Sequence, residues 1–470
     1  MVDPTHTLPE TSAPPAALAS TVRELMRLAL PLSLVQVGYH MTGFVDTVLA
    51  GRVSDLVLGA TGLGSAIFFT AAVLGMGIAM GLDAVAAQAF GSRRPDLARR
   101  ALWQGGYAAL LTSVPLSLLL VAVLVALERF GIAPELAHET RTYVYARLPS
   151  LFPVLLGVSL RSYLQALRSA RPILWAVVVT NVVNLVGDWL LLFGDEGLVQ
   201  LGLPAVGLRS YGVAGLGWAS TLAAIGQTWM LLVAVRALDW PRGAPMPRPH
   251  GPTLWALFRV GIPIGLQLLA EVGIFALTGV LMGGMGTAIM AAHQVALQLA
   301  SMTFSVCLGI GAATAVQVGR AVGAGDVLAT RRAGLAGVLL GASFMTVSAV
   351  ILWLVPHELA QLMSADANVW PMAAVLIRIA GVFQLADGIQ AVASGALRGA
   401  GITRWSLAAH LVSHWAVALP VALGLAFGAG MGAVGLWWGL CAGLASVAAA
   451  LLIKFVHVSR RPIARIDLGR

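Results

Sequence analysis

The sequence is poor in charge. Only 10% of its 470 residues are Asp, Glu, Lys or Arg, against 59% hydrophobic, and the mean hydropathy is +0.87. A soluble domain carries about 25% charged residues to make its polar shell. This chain cannot make that shell, which excludes a soluble fold and turns its surface toward lipid. Period-2 alternation is also missing from the apolar runs, so helices rather than a barrel are predicted. Cysteine is nearly absent. Cys307 and Cys441 lie in apolar stretches, build no disulfide framework and leave the redox compartment open. The N-terminus has neither the basic n-region nor the cleavage site of a secretory signal. It reads as a polar tail, with the first apolar run acting as its own insertion signal. No P-loop, nucleophile elbow or HExxH motif occurs, so nucleotide hydrolysis within this chain is unsupported and no enzyme is indicated.

What is present is a series of apolar runs of about 20 residues, each long enough to cross a bilayer. The fold class is all-α and polytopic, with twelve transmembrane helices in two pseudo-symmetric six-helix bundles. The spans fall roughly at 25–50, 56–82, 101–127, 143–166, 173–194, 213–235, 255–282, 287–316, 333–355, 372–395, 405–427 and 433–456. A tail (1–24), an N-lobe (25–235), a linker (236–254), a C-lobe (255–456) and a basic tail (457–470) follow from them. Arg93, Arg94, Arg99, Arg100, Arg168, Arg171, Arg331, Arg332, Arg398 and Arg404 sit in one set of loops. About four-fifths of the basic residues share that side, which the positive-inside rule assigns to the cytoplasm. Both termini then lie inside, and the location is the cell (inner) membrane. The formal charge of +9 thus reflects topology rather than nucleic-acid binding. Trp240-Pro241-Arg242-Gly243 and Pro245, Pro247, Pro249 and Pro252 make the linker an extended strap.

The halves resemble each other at a shift of about 230 residues. Pro31-Leu-Ser-Leu matches Pro263-Ile-Gly-Leu, Gln88 matches Gln317, and Leu167-Arg168-Ser169-Ala170 matches Leu397-Arg398-Gly399-Ala400. Gly212-Val-Ala-Gly215 matches Gly432-Ala-Val-Gly435. Six spans per half relate the lobes by an axis along the membrane normal, an architecture that places a substrate cavity between rocking bundles.

Four carboxylates fall inside spans: Asp46, Asp188, Glu271 and Asp387. Each is costly there and marks a cavity, an ion site or a partner. Gln36, Tyr39, His40, Gly43, Asp46 and Thr47 recur at three- and four-residue steps, giving one polar face on an apolar helix. Asn181, Asn184 and Asp188 share a face one turn apart. If the two faces converge, the cluster can exchange a proton or hold a sodium ion; a structural hydrogen-bond network is the alternative. Glu271 with Gln267, and Asp387 with Gln384 and Gln390, make a second candidate site. A pair between Asp387 and Arg378 is the bland reading of that aspartate. His293, Gln294 and His414 are candidate cavity-lining positions. His410 and His414 have metal-ligand spacing but no acid or cysteine near them in sequence. Asp83 is expected to cap its helix or to pair with the Arg93 loop. The acids do not obey the repeat: Asp46 falls opposite Thr278, Asp188 opposite Ala418 and Glu271 opposite Tyr39.

Four stretches resemble the multidrug and toxin extrusion (MATE) family, of the NorM and DinF-like kind. They are Gly43-Phe-Val-Asp46-Thr47-Val-Leu-Ala-Gly51, Ala291-Ala-His293-Gln294, Ala393-Ser-Gly-Ala-Leu-Arg398-Gly399, and Gly81-Leu-Asp83 with Gln88 and Phe90-Gly91. The resemblance covers roughly 25–456. It implies an antiporter that exports cationic or amphiphilic drugs in exchange for protons or sodium ions by alternating access. It implies ion coupling through Asp46, Asn184 and Asp188 in the N-lobe and Glu271 and Asp387 in the C-lobe. No cofactor is implied beyond the coupling ion, no nucleic acid, and no partners beyond substrates and membrane lipids; a monomer is expected. The alternative is a lipid or lipid-linked oligosaccharide flippase of related layout, which favours a basic cavity.

Overall fold

The computed structural model describes residues 18–200, 202–239 and 247–468. Residues 240–246 of the linker and most of the N-terminal tail lie outside the described residues. Twelve helices are long and apolar enough to cross a membrane. They are α1 (Ser20–Gly51), α2 (Asp55–Gly91), α3 (Pro95–Phe130), α4 (Pro134–Ala166), α5 (Arg171–Phe193) and α6 (Val213–Asp239). The second half holds α7 (Gly251–Gly283), α8 (Thr287–Ala324), α9 (Val327–Leu354), α10 (Trp370–Gly399), α11 (Thr403–Gly428) and α12 (Gly432–Val458). No strand occurs among the described residues. Several helices overrun the predicted spans because the chain stays helical past its apolar runs: α2 continues to Gly91 and α8 to Ala324. Helix α11 is wound as π-helix over Val412–Ala418 and Gly424–Gly428.

The lobes meet where small residues let backbones touch. Helix α2 packs on α7, and α1 on α8. A Cβ on Gly77 would collide with the backbone of Gly265, and a Cβ on Gly309 with that of Ser33. These are one contact made twice, since Gly77 and Gly309 are 232 residues apart, as are Ser33 and Gly265. The same shift relates Gly91, tight against the Arg320 carbonyl, to Gly323, tight against the Gln88 carbonyl. A Cβ on Gly319 would press on Ala87, its own repeat mate. A residue touching its mate lies on a two-fold axis, so the axis passes between the ends of α2 and α8. This packing register pairs Gln88 with Arg320, three residues from the Gln88–Gln317 pairing of the sequence comparison.

Polar contacts reinforce the seam at the arginine-rich end. Asp83 of α2 pairs with Arg398 of α10 at 3.2 Å, both nearly buried. This corrects the expectation of a pair with the Arg93 loop: the side chain crosses to the other lobe. Gln88 Nε2 donates to the Gly399 carbonyl (3.1 Å), and its Oε1 accepts from the Ile466 amide (2.8 Å). Thr253 Oγ1 donates to the Leu468 carbonyl at 3.1 Å, so the C-terminal tail lies across α2 and α7. Arg320 Nη1 donates to the Ala166 carbonyl at 2.8 Å. Beyond the Ser33–Val306 hydrogen bond (2.8 Å), the described residues of the two lobes share no hydrogen bond or ion pair toward the other end. At Gly43, farther along α1, an added Cβ would meet open space.

At that far end, Asp195 pins the α5–α6 loop. Its carboxylate accepts from the amides of Leu208 (2.9 Å), Val206 (3.0 Å) and Gly207 (3.0 Å). The Leu208 and Val206 amides hold its pKa below the usual aspartate value. A lowered folded-state pKa orders the loop above the ordinary value of about 3.9, and that ordering is lost as pH falls through the lowered pKa. Asp195→Ala should therefore raise amide exchange at 206–208 at neutral pH; unchanged exchange there would contradict the pinning. Asp83→Asn should lower the thermal midpoint in detergent by leaving Arg398 unpaired, a loss of about 3–5 kcal/mol for a buried pair. Asp83→Asn with Arg398→Gln should recover most of that loss, and a double variant no more stable than the single one would rule out the pair.

Candidate functional site

In the N-lobe, the predicted faces converge. Asp46 (α1), Asn184 and Asp188 (α5) are buried. Asn184 Nδ2 donates to Asp188 Oδ2 at 2.8 Å, and Ser220 of α6 reaches Asp46 Oδ2 at 3.4 Å. Both Asp188 and Asn184 border the Asp46 carboxyl. Asn181 braces the two helices, accepting from Thr42 (3.0 Å) and donating to the Gly38 carbonyl (3.1 Å). Asp46 Oδ1, Asp188 Oδ1 and Asn184 Oδ1 are all buried without a donor. Unpaired buried oxygens are costly, and a proton or small cation shared within the cluster would supply what is missing.

Arg147 of α4 belongs to the same cluster. Its guanidinium stacks 4.8 Å from the Phe68 ring centroid and donates to the Tyr143 hydroxyl (2.5 Å) and Ser65 Oγ (3.3 Å). Its charge acts on both Asp46 and Asp188, although no carboxylate among the described residues lies within ion-pair distance of it. Two acids and one cation carry a net charge of minus one when all are ionised. One added proton makes the cluster neutral.

The C-lobe is organised around Glu271 of α7. Gln390 Nε2 of α10 donates to Glu271 Oε1 at 3.2 Å and reaches His410 Nε2 at 2.9 Å. His410 lies on α11 just before its π-turn. Its Nδ1 is 2.8 Å from the Ser406 carbonyl, which can only accept, so Nδ1 carries the hydrogen and Nε2 is left as an acceptor. Gln267 Nε2 also points at that nitrogen (3.3 Å), while Gln267 Oε1 accepts from Ser406 Oγ (2.8 Å). Glu271 Oε2 stands 3.9 Å from His410 Nε2. Asp387 is buried on α10, within electrostatic reach of Glu271.

The other predicted residues divide. Gln36 and Tyr39 are half-buried and His40 is exposed on α1. His414 is buried beside His410, ring centroids 5.7 Å apart. His293 lies apart from the acids: its Nδ1 accepts from Trp437 Nε1 at 3.2 Å in an apolar cluster. Gln294 is exposed. Arg378 is exposed and makes no pair with Asp387; its carbonyl accepts from Trp353. Among the described residues no three His, Cys, Asp or Glu side chains gather in metal-ligating geometry. The sequence reading passed over Arg147 and Arg161, both inside the predicted fourth span. Applying to arginine the test applied to carboxylates, a charge within an apolar run, would have found them.

The MatE family model matches residues 31–190 and 263–423, one stretch in each half. The chain is 35% identical over 468 residues to a probable multidrug resistance protein NorM of Bradyrhizobium diazoefficiens, covering 97% of each chain. It is 35% identical over 454 residues to multidrug resistance protein NorM of Burkholderia vietnamiensis, covering 95% of this chain and 96% of that one. In fold it is similar to the eukaryotic MATE transporter AtDTX14, with a TM-score of 0.85 at 20% identity, covering 96% and 100%. It is also similar to the bent form of the Vibrio cholerae MATE transporter VcmN, with a TM-score of 0.81 at 20% identity, covering 94% and 98%.

His410 is the shared acceptor of two buried amides. His410→Leu should take one acceptor from each, leaving Gln390 on Glu271 and Gln267 on Ser394 (3.1 Å), and lower the thermal midpoint in detergent by the loss of about 0.5–1.5 kcal/mol per bond. His410→Gln, which can still accept, should lose less. Equal stability of the leucine variant and wild type would show that the network does not exist.

Proposed function

The chain belongs to the MatE family, and from that premise we propose that it is a multidrug efflux antiporter driven by protons. It is a multi-pass membrane transporter rather than an enzyme. The proposed setting is the cell (inner) membrane, with the arginine-rich loops and both termini on the cytoplasmic face. The names of its relatives support the export of several drugs, and the carboxylates within its apolar spans support cationic, amphiphilic ones. Alternating access is supported by a two-fold seam that joins the lobes at one end only.

The observation that carries the reading is the N-lobe cluster of Asp46, Asp188 and Asn184 with three unsatisfied oxygens beside Arg147. A sodium ion placed there would sit near a guanidinium. A proton removes the excess negative charge without adding a second cation, which favours protons over sodium. The driving force would be the gradient itself, with each inward charge gaining about 2.3 kcal/mol per 100 mV. Four carboxylates in the spans favour cationic cargo over the phosphate head groups of a flippase.

Asp46→Asn keeps the size of the side chain and removes its exchangeable proton. In proteoliposomes with an imposed pH gradient, wild type should drive ethidium uphill and Asp46→Asn should fall to the protein-free background. The variant should elute from gel filtration as wild type does. Full residual transport by Asp46→Asn would remove the proton role. Transport driven by a sodium gradient alone would replace protons with sodium.

A further inference from the structure

Arg161 is a charged side chain inside the membrane-spanning part of α4 that has no counter-ion among the described residues. Side chains lean toward a helix's N-terminus, so Arg161 points away from the arginine-rich end, toward the middle of α1. There its Nη1 makes one long contact, 3.4 Å to Gln36 Oε1, and the guanidinium lies 5.5 Å from the Tyr39 ring centroid. Gln227 Nε2 holds the Tyr39 hydroxyl at 3.1 Å. Arg161 Nε is buried without an acceptor. No ion pair among the described residues includes Arg161. The charge that acts from the other lobe is Arg398, a cation already matched by Asp83.

Arg161 as a whole is only part-buried, although its Nε is enclosed. Acyl chains are a costly neighbour for a charge at this depth, which favours a watery space between the lobes for its open side. The repeat adds a second observation. Tyr39, on which Arg161 stacks, is the mate of Glu271, 232 residues along. Where the C-lobe presents a carboxylate, the N-lobe presents a phenol backed by a cation. The two related positions therefore have opposite polarity.

We infer that Arg161, with Gln36 and Tyr39, forms an oxyanion subsite that takes the carboxylate of a zwitterionic amphiphile. The cationic end of the same molecule faces the acids. Guanidinium suits this task because its planar fork matches a carboxylate and it stays charged when partly desolvated. The inference rests on the export reading and sharpens it: the cleft selects for a paired positive and negative charge, beyond cations in general.

Rhodamine 110 carries a free carboxylate, and rhodamine 123 is its methyl ester. Their gradient-driven export from proteoliposomes gives a ratio of kcat/KM, acid over ester, that a general folding defect would not move. Arg161→Gln should lower that ratio about tenfold, the size of one lost charge-assisted hydrogen bond. Arg161→Lys keeps the charge without the fork and should lower it less; it also serves if the glutamine variant folds poorly. An unchanged ratio in either variant overturns the subsite, as does a wild type that exports only the ester. A wild type that exports neither dye overturns the export reading and the subsite with it.

Discussion

Helices α2 and α8 cross at a point where neither has room for a side chain. Gly91 faces the Arg320 carbonyl, Gly323 faces the Gln88 carbonyl, and Gly319 abuts Ala87. In lipid there is little hydrophobic gain from bringing helices together, so close backbone contact must supply the association. A contact made only of backbone and small residues also has no interdigitated side chains to unlock when the crossing angle changes. The α1–α8 and α2–α7 contacts repeat this chemistry on either side of the axis, through Ser33 with Gly309 and Gly265 with Gly77. The arginine-rich end is then held by polar groups that can exchange partners: Asp83 with Arg398, and the tail on Gln88 and Thr253.

Symmetry stops at the charges. In the N-lobe two acids stand beside Arg147, and Arg161, about four helical turns farther along α4, pairs with no carboxylate among the described residues. In the C-lobe, Glu271 instead joins a network of glutamines and a neutral histidine, with Asp387 within electrostatic reach. The N-lobe can thus balance an ionised acid internally, whereas the described C-lobe has no cation among those partners. The histidine of that network sits beside the π-turn of α11, and such turns are frequent at functional sites. The corresponding helix in the N-lobe, α5, is regular throughout and carries Asn184 and Asp188.

Most of the fold was legible because lipid imposes strict rules on a chain. Span number followed from run length, and the repeat from glycines, prolines and loop arginines. The convergence of Asp46 with Asn184 and Asp188 was legible because both faces show as a helical period in sequence. Other features depend on tertiary distance and left no local mark. Asp83 finds Arg398 more than three hundred residues away. Treating arginine chiefly as a marker of loops hid Arg147 and Arg161. His293 shows the opposite error: it lies in a family-like stretch, yet it packs on Trp437 in an apolar cluster.

In the proposed antiporter, charge and seam together would let a proton do mechanical work. Moving an equilibrium from 1:99 to 99:1 needs about 5.5 kcal/mol of differential binding. A low-dielectric cluster can supply energy on that scale, because adding or removing one charge there costs far more than it does in water. The N-lobe cluster is neutral with one proton and negative without it. The negative form is favoured by any arrangement that brings water, or a cationic ligand, to Asp46 and Asp188; the neutral form is favoured by arrangements that exclude both. The proposed rocking about a glycine seam would change that exposure without repacking either lobe. Protonation and cation binding would then select between the same two arrangements with opposite sign, which is the thermodynamic condition for exchange transport.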